Sequence, residues 1–417
     1  MNFLKQEARE LRKGGSRPAR HWTAGRWGLV KIARRVTRKF LDFHSGRVPC
    51  LAGHPFTSPR GLTVTHISAF SHDNAGDLFL PVALRNLFND NIPVKEWIGR
   101  HVHEVVSKGD VKRFGKSDFI VIGGGGLFLA DTNPNELSGW QWSCGMDNLR
   151  DIQAPLIAFA IGYNRFRGQK EFAPIFTEHL NAFVEKAVFV GIRNHGSIRK
   201  LREYLRTEEL RDKLVFQPCM TTLTSLLYKD LCDYGKKEDF IAFNCAFDRQ
   251  ELRRNDEAVL AQIADVALRL SNHAGIRYYS HMPSDEKVLP FFDKVGVEYQ
   301  LVRLRDVRQT IMEYARPRLV IGMRGHAQMI PFGCNTPILS VISHDKMQWF
   351  LDDIHHPEWG VDVLDSSFGS RLYTKAKALF ESTEELIPVL KEEQRYLWDI
   401  TRKNMDEIKS TIKRLAK

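Results

Sequence analysis

Short apolar runs alternate with amphipathic segments from residue 62 onward, a pattern typical of buried strands and covering helices. In the first half, strands are predicted at residues 62–68, 118–122, 155–162, 187–192 and 213–216. Helices are predicted at 78–88, 172–186 and from about 195. Strand–helix alternation of this kind predicts a parallel sheet covered on both faces.

The same pattern restarts after a polar stretch at 229–238. Strands are predicted at 239–245, 275–280, 297–302, 318–323 and 337–343, and helices near 256–273, 307–316, 325–332 and 345–353. The fold class expected is therefore α/β, with two Rossmann-like doubly wound domains. The predicted division is a basic N-terminal extension at 1–60, an N-terminal domain at 61–225, a C-terminal domain at 226–372 and C-terminal helices at 373–417.

The basic charge of the chain is concentrated at its beginning. The net charge is +11, and residues 1–50 carry 13 Lys and Arg against 3 Asp and Glu, so the remaining residues are close to neutral. Residues 27–43 have apolar side chains at helical spacing, interleaved with Lys and Arg. This basic amphipathic helix could pack on the protein's own core or dock peripherally on a membrane surface. Because no aromatic-rich basic platform accompanies it, nucleic-acid binding is not expected.

The 6 cysteines are scattered and form no CxxC pair, which favours a reducing compartment and predicts no metal site. No signal peptide and no apolar run of membrane-spanning length are recognised in the sequence. The expectation is a cytoplasmic protein, with peripheral contact at the inner face of the membrane left open.

Polar and basic residues follow several predicted strands, where ligands bind in open α/β sheets. Arg193 follows one strand, and its planar guanidinium suits a carboxylate or phosphate. A surface ion pair is the alternative interpretation of this residue. Arg324, Gly325 and His326 follow another, at the N-terminus of a helix, so that a fixed charge, free amides and an imidazole could share one anion. Lys346, after the next strand, could contact a phosphate or remain solvated.

Loops of the first half supply further candidates. Asn74 and Asp77 open a helix, where Asp77 could cap the helix or act on a hydroxyl group. In the glycine run 123–126, Gly124 and Gly125 could form an anion nest or only a tight turn. Trp140 and Trp142 could stack on a sugar or pack in the core.

Together these segments make the chain similar to the polysaccharide pyruvyl transferase family. The resemblance spans residues 62–355 and is carried by NAGDLFL (74–80), DFIVIGGGGLF (118–128), PLIAFAIGY (155–163), FVGIRNHGSI (189–198), QPCMTTL (217–223), RLVIGMRGHAQMIPFGCNTPILSVIS (318–343) and Lys346. It implies a GT-B-like arrangement and pyruvyl transfer from phosphoenolpyruvate to two hydroxyls of a sugar in a glycan or lipid-linked acceptor. No further cofactor is implied.

The resemblance also implies roles for individual residues. Arg324 would bind the donor, His326 would act as acid or base, and Arg193 would clamp the donor's carboxylate or phosphate. The donor set comprises Arg193, Arg324, Gly325, Gly124, Gly125 and Lys346; the acceptor set comprises Asn74, Trp140 and Trp142; and Asp77 joins His326 as a catalytic candidate.

The chain departs from the family pattern at three places. Asn194 stands where Asp is frequent, Gly325 where Leu is frequent, and Cys219 where many members have Asp. Two other functions remain open from the sequence, namely a nucleotide-sugar glycosyltransferase of GT-B architecture and a non-catalytic glycan-binding factor.

Overall fold

The computed structural model describes residues 60–71, 73–233, 235–246 and 256–415. They form two parallel six-stranded sheets, each covered by helices, which confirms the expected fold class. The amphipathic helix predicted at 27–43 lies outside the described residues. No helix of the described part is both long and apolar enough to cross a membrane.

The first sheet has the strand order β2-β1-β3-β4-β5-β6. Its elements are β1 (Leu62–Ser68), α1 (Ala75–Asn91), β2 (Val94–His101), α2 (Lys108–Phe114), β3 (Phe119–Phe128), α3 (Met146–Asp151), β4 (Leu156–Tyr163), α4 (Pro174–Lys186), β5 (Phe189–Ile192), α5 (His195–Arg202), α6 (Glu208–Asp212) and β6 (Leu214–Phe216).

A 3₁₀ turn (Met220–Leu223) and two short helices, α7 (Thr224–Leu227) and α8 (Lys229–Cys232), lead to the second sheet, ordered β12-β11-β10-β7-β8-β9. Its elements are β7 (Glu238–Asn244), α9 (Asp256–Ser271), β8 (Gly275–Ser280), a 3₁₀ helix (Pro283–Val288), α10 (Leu289–Val295), β9 (Gln300–Arg303), α11 (Val307–Ala315), β10 (Pro317–Gly322), α12 (His326–Gly333), β11 (Ile338–Ile342), α13 (Asp345–Asp353), a 3₁₀ turn (Pro357–Trp359), β12 (Gly360–Asp362), α14 (Phe368–Glu381) and α15 (Thr383–Leu415).

One apolar cluster joins the facing sides of the two sheets. It contains Val64 and Phe159 of the first sheet and Val320 of the second, all inaccessible to solvent. Helix α15 belongs to the same cluster and returns to the first sheet, where Asn404 Nδ2 donates a hydrogen bond to the carbonyl oxygen of Phe216, 2.8 Å away. Burial of these apolar surfaces is the main force that holds the two sheets in a fixed relation.

The strands expected in the first and second halves are confirmed to within a few residues at most ends. The edge strands β2 and β12 were not predicted, because β2 carries two exposed charged residues near its start and β12 has only 3 residues. The prediction that the strand from 118 ends before the glycine run was wrong, since β3 continues to Phe128. Helix α14 begins at Phe368, so the boundary predicted at 372/373 falls inside it.

Candidate active site

Each sheet has a point where neighbouring strands send their connections in opposite directions, between β1 and β3 in the first sheet and between β7 and β10 in the second. Ligands of open α/β sheets bind outside the carboxyl ends of the strands at such points. Asn74 and Asp77 follow β1, and Arg324 and His326 follow β10. The sequence candidates therefore occupy the position that the topology favours.

His326 reaches from the second sheet to the first turn of α1. A Cβ atom added to Gly76 would lie only 2.1 Å from Nδ1 of His326, so the imidazole packs directly on the glycine. Asn74 fixes this turn, because its Oδ1 accepts a hydrogen bond from the backbone N–H of Gly76 at 2.9 Å. Gly76 is thus required for close approach of the imidazole to the helix.

Arg193 is a buried cation, with 6% of its surface exposed. Its guanidinium packs on Gly162, where an added Cβ atom would lie 2.5 Å from Nη2. Its Nε is buried and has no hydrogen-bond partner among the described residues. Burial lowers the pKa of Arg193, while Asp77 and Cys219 act electrostatically in the opposite direction. Because a buried guanidinium without a hydrogen-bonded carboxylate is costly, this side chain is suited to an anionic ligand.

Three cations surround the imidazole of His326. Burial, followed by the charges of Arg193, Lys346 and Arg324, lowers the pKa of His326 to about 3. The imidazole is therefore neutral at physiological pH in the ligand-free protein. The same interactions bring together side chains from the loops after β5 and β10 and from the first turn of α13. Joint binding of a donor by these residues stays a prediction.

Lys346 lies beside the Arg324–His326 loop. Its Cε is 3.9 Å from the position of a Cβ atom added to Gly325, and its Nζ is 5.3 Å from the ring centroid of Phe166. Gly325 has right-handed helical dihedral angles, so the backbone conformation does not require a glycine here. The missing side chain instead leaves open space above the Cα of Gly325.

Arg324 is held by a buried carboxylate. Its Nε donates to Oδ1 and Oδ2 of Asp285 at 2.8 and 3.0 Å. Asp285 is inaccessible to solvent, and its Oδ2 also accepts from the backbone N–H of His281 at 3.0 Å. Burial raises the pKa of Asp285, while Arg324 opposes the rise. Asp285 therefore fixes the orientation of the guanidinium and shares its charge.

A sequence comparison identifies the family to which this arrangement belongs. The family model described as polysaccharide pyruvyl transferase matches residues 20–346, most of the chain. The chain is a member of the polysaccharide pyruvyl transferase family. It is accordingly a glycan-modifying transferase, and the family expected from the sequence motifs is confirmed. No curated protein sequence matches the chain.

Solved structures share the two-domain architecture of this pyruvyl transferase family member at low sequence identity. UDP-N-acetylglucosamine 2-epimerase from Rickettsia bellii has a TM-score of 0.50 at 11% identity, with 85% of this chain and 98% of the epimerase covered. The MnaA–UDP co-structure from S. aureus has a TM-score of 0.49 at 13% identity, covering 79% of this chain and 90% of that one. The resemblance to the epimerase concerns the fold alone.

The prediction that Trp140 and Trp142 could contact a sugar was wrong. Both side chains are buried, and the indole N–H of Trp140 donates to Nδ1 of His179 at 3.0 Å. Phe128 and Phe183 complete an aromatic cluster around them. Aromatic edge-to-face packing and apolar burial account for these tryptophans, and no face of either ring is open to an acceptor.

The glycine run lies at the sheet edge that carries the site. Gly124 and Gly125 have φ angles of 76° and 119°, which favour glycine, and both pack against Leu80 of α1. Gly123 is needed for a different reason, because an added Cβ atom would lie 2.1 Å from the carbonyl oxygen of Phe159. Contact of Gly124 and Gly125 with a donor stays a prediction.

Three residues of the site were not predicted from sequence. They are Asp285, His281 and Cys219. The thiol of Cys219 lies 4.0 Å from Nε2 of His326, and Nε2 of His281 shares a hydrogen bond of 2.5 Å with the hydroxyl of Tyr314. The only sequence signal was the departure from the family pattern at Cys219. In the described part of the chain, no group of three or more His, Cys, Asp or Glu side chains is arranged to hold a metal ion.

Proposed function

We propose that the protein transfers the pyruvyl group of phosphoenolpyruvate to two hydroxyls of one sugar, forming a cyclic ketal and releasing phosphate. The observation that carries this proposal is the buried guanidinium of Arg193, whose Nε has no partner among the described residues, beside three further polar groups of one site. Those groups are Arg324, His326 and Lys346. A small, highly charged anion fits this arrangement better than a neutral ligand does.

The cations divide into two kinds. Arg324 is already paired with Asp285, whereas the guanidinium of Arg193 forms no hydrogen bond with a described residue and has Asp77 and Cys219 as its electrostatic partners. The guanidinium of Arg193 is therefore the cation of this site that is best placed to take an anionic partner, and Lys346 acts electrostatically on the same imidazole of His326. Phosphoenolpyruvate carries a carboxylate and a phosphate close together, so a fork-shaped guanidinium and a point-like ammonium can each bind one of them.

Donor binding changes the protonation of His326. In the ligand-free site, burial and three cations hold the pKa of the imidazole at about 3. A bound polyanion opposes these cations and raises that pKa toward the range in which histidine transfers protons. The imidazole then holds a proton only when the donor is present, which suits a group that delivers it to C3 of phosphoenolpyruvate.

The reaction balances with the two substrates alone. Protonation of C3 makes C2 an oxocarbenium-like centre, and one sugar hydroxyl forms a C–O bond to it. The C2–O bond to phosphate then breaks, and a second hydroxyl closes the ketal. One hydroxyl proton replaces the proton delivered to C3, and the other leaves with phosphate. Arg193 and Lys346 stabilise the charge that builds on the phosphate oxygens.

Asp77 is the candidate that faces the acceptor. It lies in the first turn of α1, next to the glycine on which His326 packs, and it acts electrostatically on Arg193. A carboxylate at this position can accept the proton of an attacking hydroxyl. Asn74 caps this turn and thereby positions Asp77. Its proposed role toward the acceptor is therefore indirect.

The proposal is tested by calorimetric titration of the full-length protein with phosphoenolpyruvate. Replacing Arg193→Ala removes charge-assisted hydrogen bonds and is expected to weaken binding by about 10- to 100-fold. Arg193→Lys should restore only part of the affinity, because ammonium lacks the fork geometry. The matched control is Arg202→Ala, an exposed arginine of α5 paired with Asp212.

Two outcomes would contradict the proposal. One is an unchanged affinity in Arg193→Ala. The other is tighter binding of a UDP-sugar than of phosphoenolpyruvate, which would favour a nucleotide-sugar glycosyltransferase. Phosphate release in the presence of phosphoenolpyruvate and a sugar with two free neighbouring hydroxyls completes the test of the reaction itself.

A further inference from the structure

A cavity lies at the edge of the second sheet where its strands begin, away from the site that contains Arg324 and His326. It has a volume of about 540 Å³ and is bordered by the residues that precede β7, β10 and β11, together with α7, α8 and α15. Parallel strands place all their amino ends at one edge, so this cavity and the donor site lie at opposite edges of the sheet. We call it the rear cavity. Its volume is in the range of small-molecule sites.

Cations dominate the lining of the rear cavity. Five are present, and Asp233 is the one carboxylate among the lining residues of the described chain; the cations are Lys229, Lys236, Lys237, Lys391 and Arg395. Apart from Lys237, none of these cations forms a side-chain hydrogen bond or ion pair with a described residue. Surface cations are usually interspersed with acidic side chains, and such a concentration around one concavity raises the local potential for anions.

Lys237 is the most buried of these cations. Its ammonium donates to the carbonyl oxygens of Ala315 and Cys334 at 2.7 and 3.2 Å and to Oγ1 of Thr336 at 2.7 Å. All three acceptors are neutral, and burial lowers the pKa of Lys237 to about 8, with Glu384 opposing the shift electrostatically. The floor of the cavity therefore carries a fixed cation whose charge is not neutralised by a direct hydrogen bond to a carboxylate.

The wall beside Lys237 is ordered by polar contacts. Gln394 donates through Nε2 to Oδ1 of Asn335 at 3.0 Å, and its Oε1 accepts from the hydroxyl of Ser225 at 2.6 Å. Asn335 has a φ of 55°, a left-handed conformation that is uncommon for residues other than glycine. Asn adopts this conformation where a helix ends, as it does here directly after the C-cap of α12. The cavity wall is thus held in place before any ligand arrives.

We propose that the rear cavity binds a diphosphate group, as a second site separate from that of phosphoenolpyruvate. Compact ammonium groups suit phosphate oxygens as point charges, and Arg395 can add a bidentate contact. A diphosphate carries several negative charges within a small volume, which matches the excess of cations around the cavity. This proposal goes beyond the proposed function and does not depend on it.

Site-resolved lysine acetylation of the full chain, with and without inorganic pyrophosphate, tests the assignment. Pyrophosphate should protect Lys229, Lys236 and Lys391 from an acetylating ester, whereas exposed Lys403 on the same helix α15 as Lys391 should react unchanged. Protection of Lys346 alone would show binding at the donor site only and would overturn the proposal. Mass spectrometry of peptides separates these sites.

Calorimetry supplies a second measurement. The double variant Lys391→Gln with Arg395→Gln should weaken pyrophosphate binding at the protected site about tenfold or more, because charge-assisted contacts are lost. The control, Arg402→Gln with Lys403→Gln, makes the same charge change on α15 outside the cavity and should keep wild-type affinity. Equal loss in both double variants, or in neither, would overturn the proposal.

The source of the diphosphate is decided by comparing two further probes under the same conditions. Tighter binding of uridine diphosphate than of pyrophosphate would indicate a soluble nucleotide. Co-sedimentation with vesicles that contain a polyprenyl diphosphate, lost in the Lys391→Gln with Arg395→Gln variant, would indicate a lipid-linked ligand. If neither probe binds and pyrophosphate gives no protection, the rear cavity is not a diphosphate site.

Discussion

The two edges of the second sheet both collect basic side chains, but they differ in burial and in the groups that accompany the charge. At the carboxyl edge, Arg324 is fixed by buried Asp285, and a neutral imidazole lies among three cations. At the amino edge, most cations of the rear cavity are exposed, and no histidine is found among the described residues that line it. The amino edge thus has the charge that the proposed anion site needs, whereas buried charge beside a titratable group at the carboxyl edge also suits proton transfer.

The largest effect should come from removing the imidazole. His326→Ala is expected to lower kcat by about 10²–10⁴-fold, because a positioned general acid or base contributes an acceleration of that size. The measurement is the rate of phosphate release at saturating phosphoenolpyruvate. His273→Ala, an exposed histidine that contacts Tyr373, is the control. Equal turnover in His326→Ala and wild type would remove the imidazole from the chemistry.

Gly76→Ala separates the position of the imidazole from its presence. The added Cβ atom would lie 2.1 Å from Nδ1 of His326, so the ring must shift. Displacement of a catalytic group by about 1 Å can cost roughly 10²-fold in rate, and kcat should fall more than donor affinity. Gly109→Ala in α2, where the nearest atom would be 3.5 Å away, should leave both unchanged. A fall in donor affinity without a change in kcat would contradict the proposed placement.

Asp285→Asn tests how Arg324 is held. Breaking a buried pair costs about 3–5 kcal/mol of the free energy of unfolding, which denaturant titration can measure. The donor KM should also rise, since the guanidinium loses its orientation, while kcat changes less. Asp265→Asn, an exposed carboxylate paired with Arg269, serves as the control. A loss of stability with an unchanged KM would make Asp285 structural only.

The smallest effect concerns pH. The pKa of His326 is about 3 in the folded, ligand-free protein, whereas its ordinary value is 6.5, so between these pH values the unfolded chain binds a proton that the folded protein does not. The free energy of unfolding should therefore decrease as pH falls from 6.5 toward 3. Donor binding should raise this pKa and therefore be accompanied by proton uptake near neutral pH. Calorimetry in buffers of different ionisation enthalpy measures the uptake, and His326→Ala removes the contribution of the imidazole while leaving that of the ligand. Identical uptake in both proteins would contradict the account.

The sequence predicted the site best where a single loop carries the chemistry. Arg193 follows β5 of the first sheet, and Arg324 and His326 follow β10 of the second, so the alternation of strands and helices was enough to place them at the carboxyl ends of the two sheets. Asp285 could not be found this way, because it meets Arg324 across 39 residues of chain and between two different loops. The contact of His326 with Gly76 likewise joins the two sheets and has no local signature.

The tryptophans show why local composition misled. Trp140 and Trp142 stand among Ser, Gly and Gln, a composition typical of an exposed loop. Their burial depends on Phe128 of β3 and Phe183 of α4, which the sequence does not mark as neighbours. Edge strands β2 and β12 were missed for other reasons, because the exposed polar residues of β2 weaken its apolar pattern and β12 has only 3 residues.

The central claim is that one small anion binds to the buried guanidinium beside His326. The most direct measurement is a crystal structure of the protein with phosphoenolpyruvate. The account predicts a carboxylate or phosphate oxygen within about 3 Å of a guanidinium nitrogen of Arg193, with the donor also next to His326 and Lys346. A donor bound elsewhere, or an Arg193 guanidinium still without an acceptor in the complex, would contradict it.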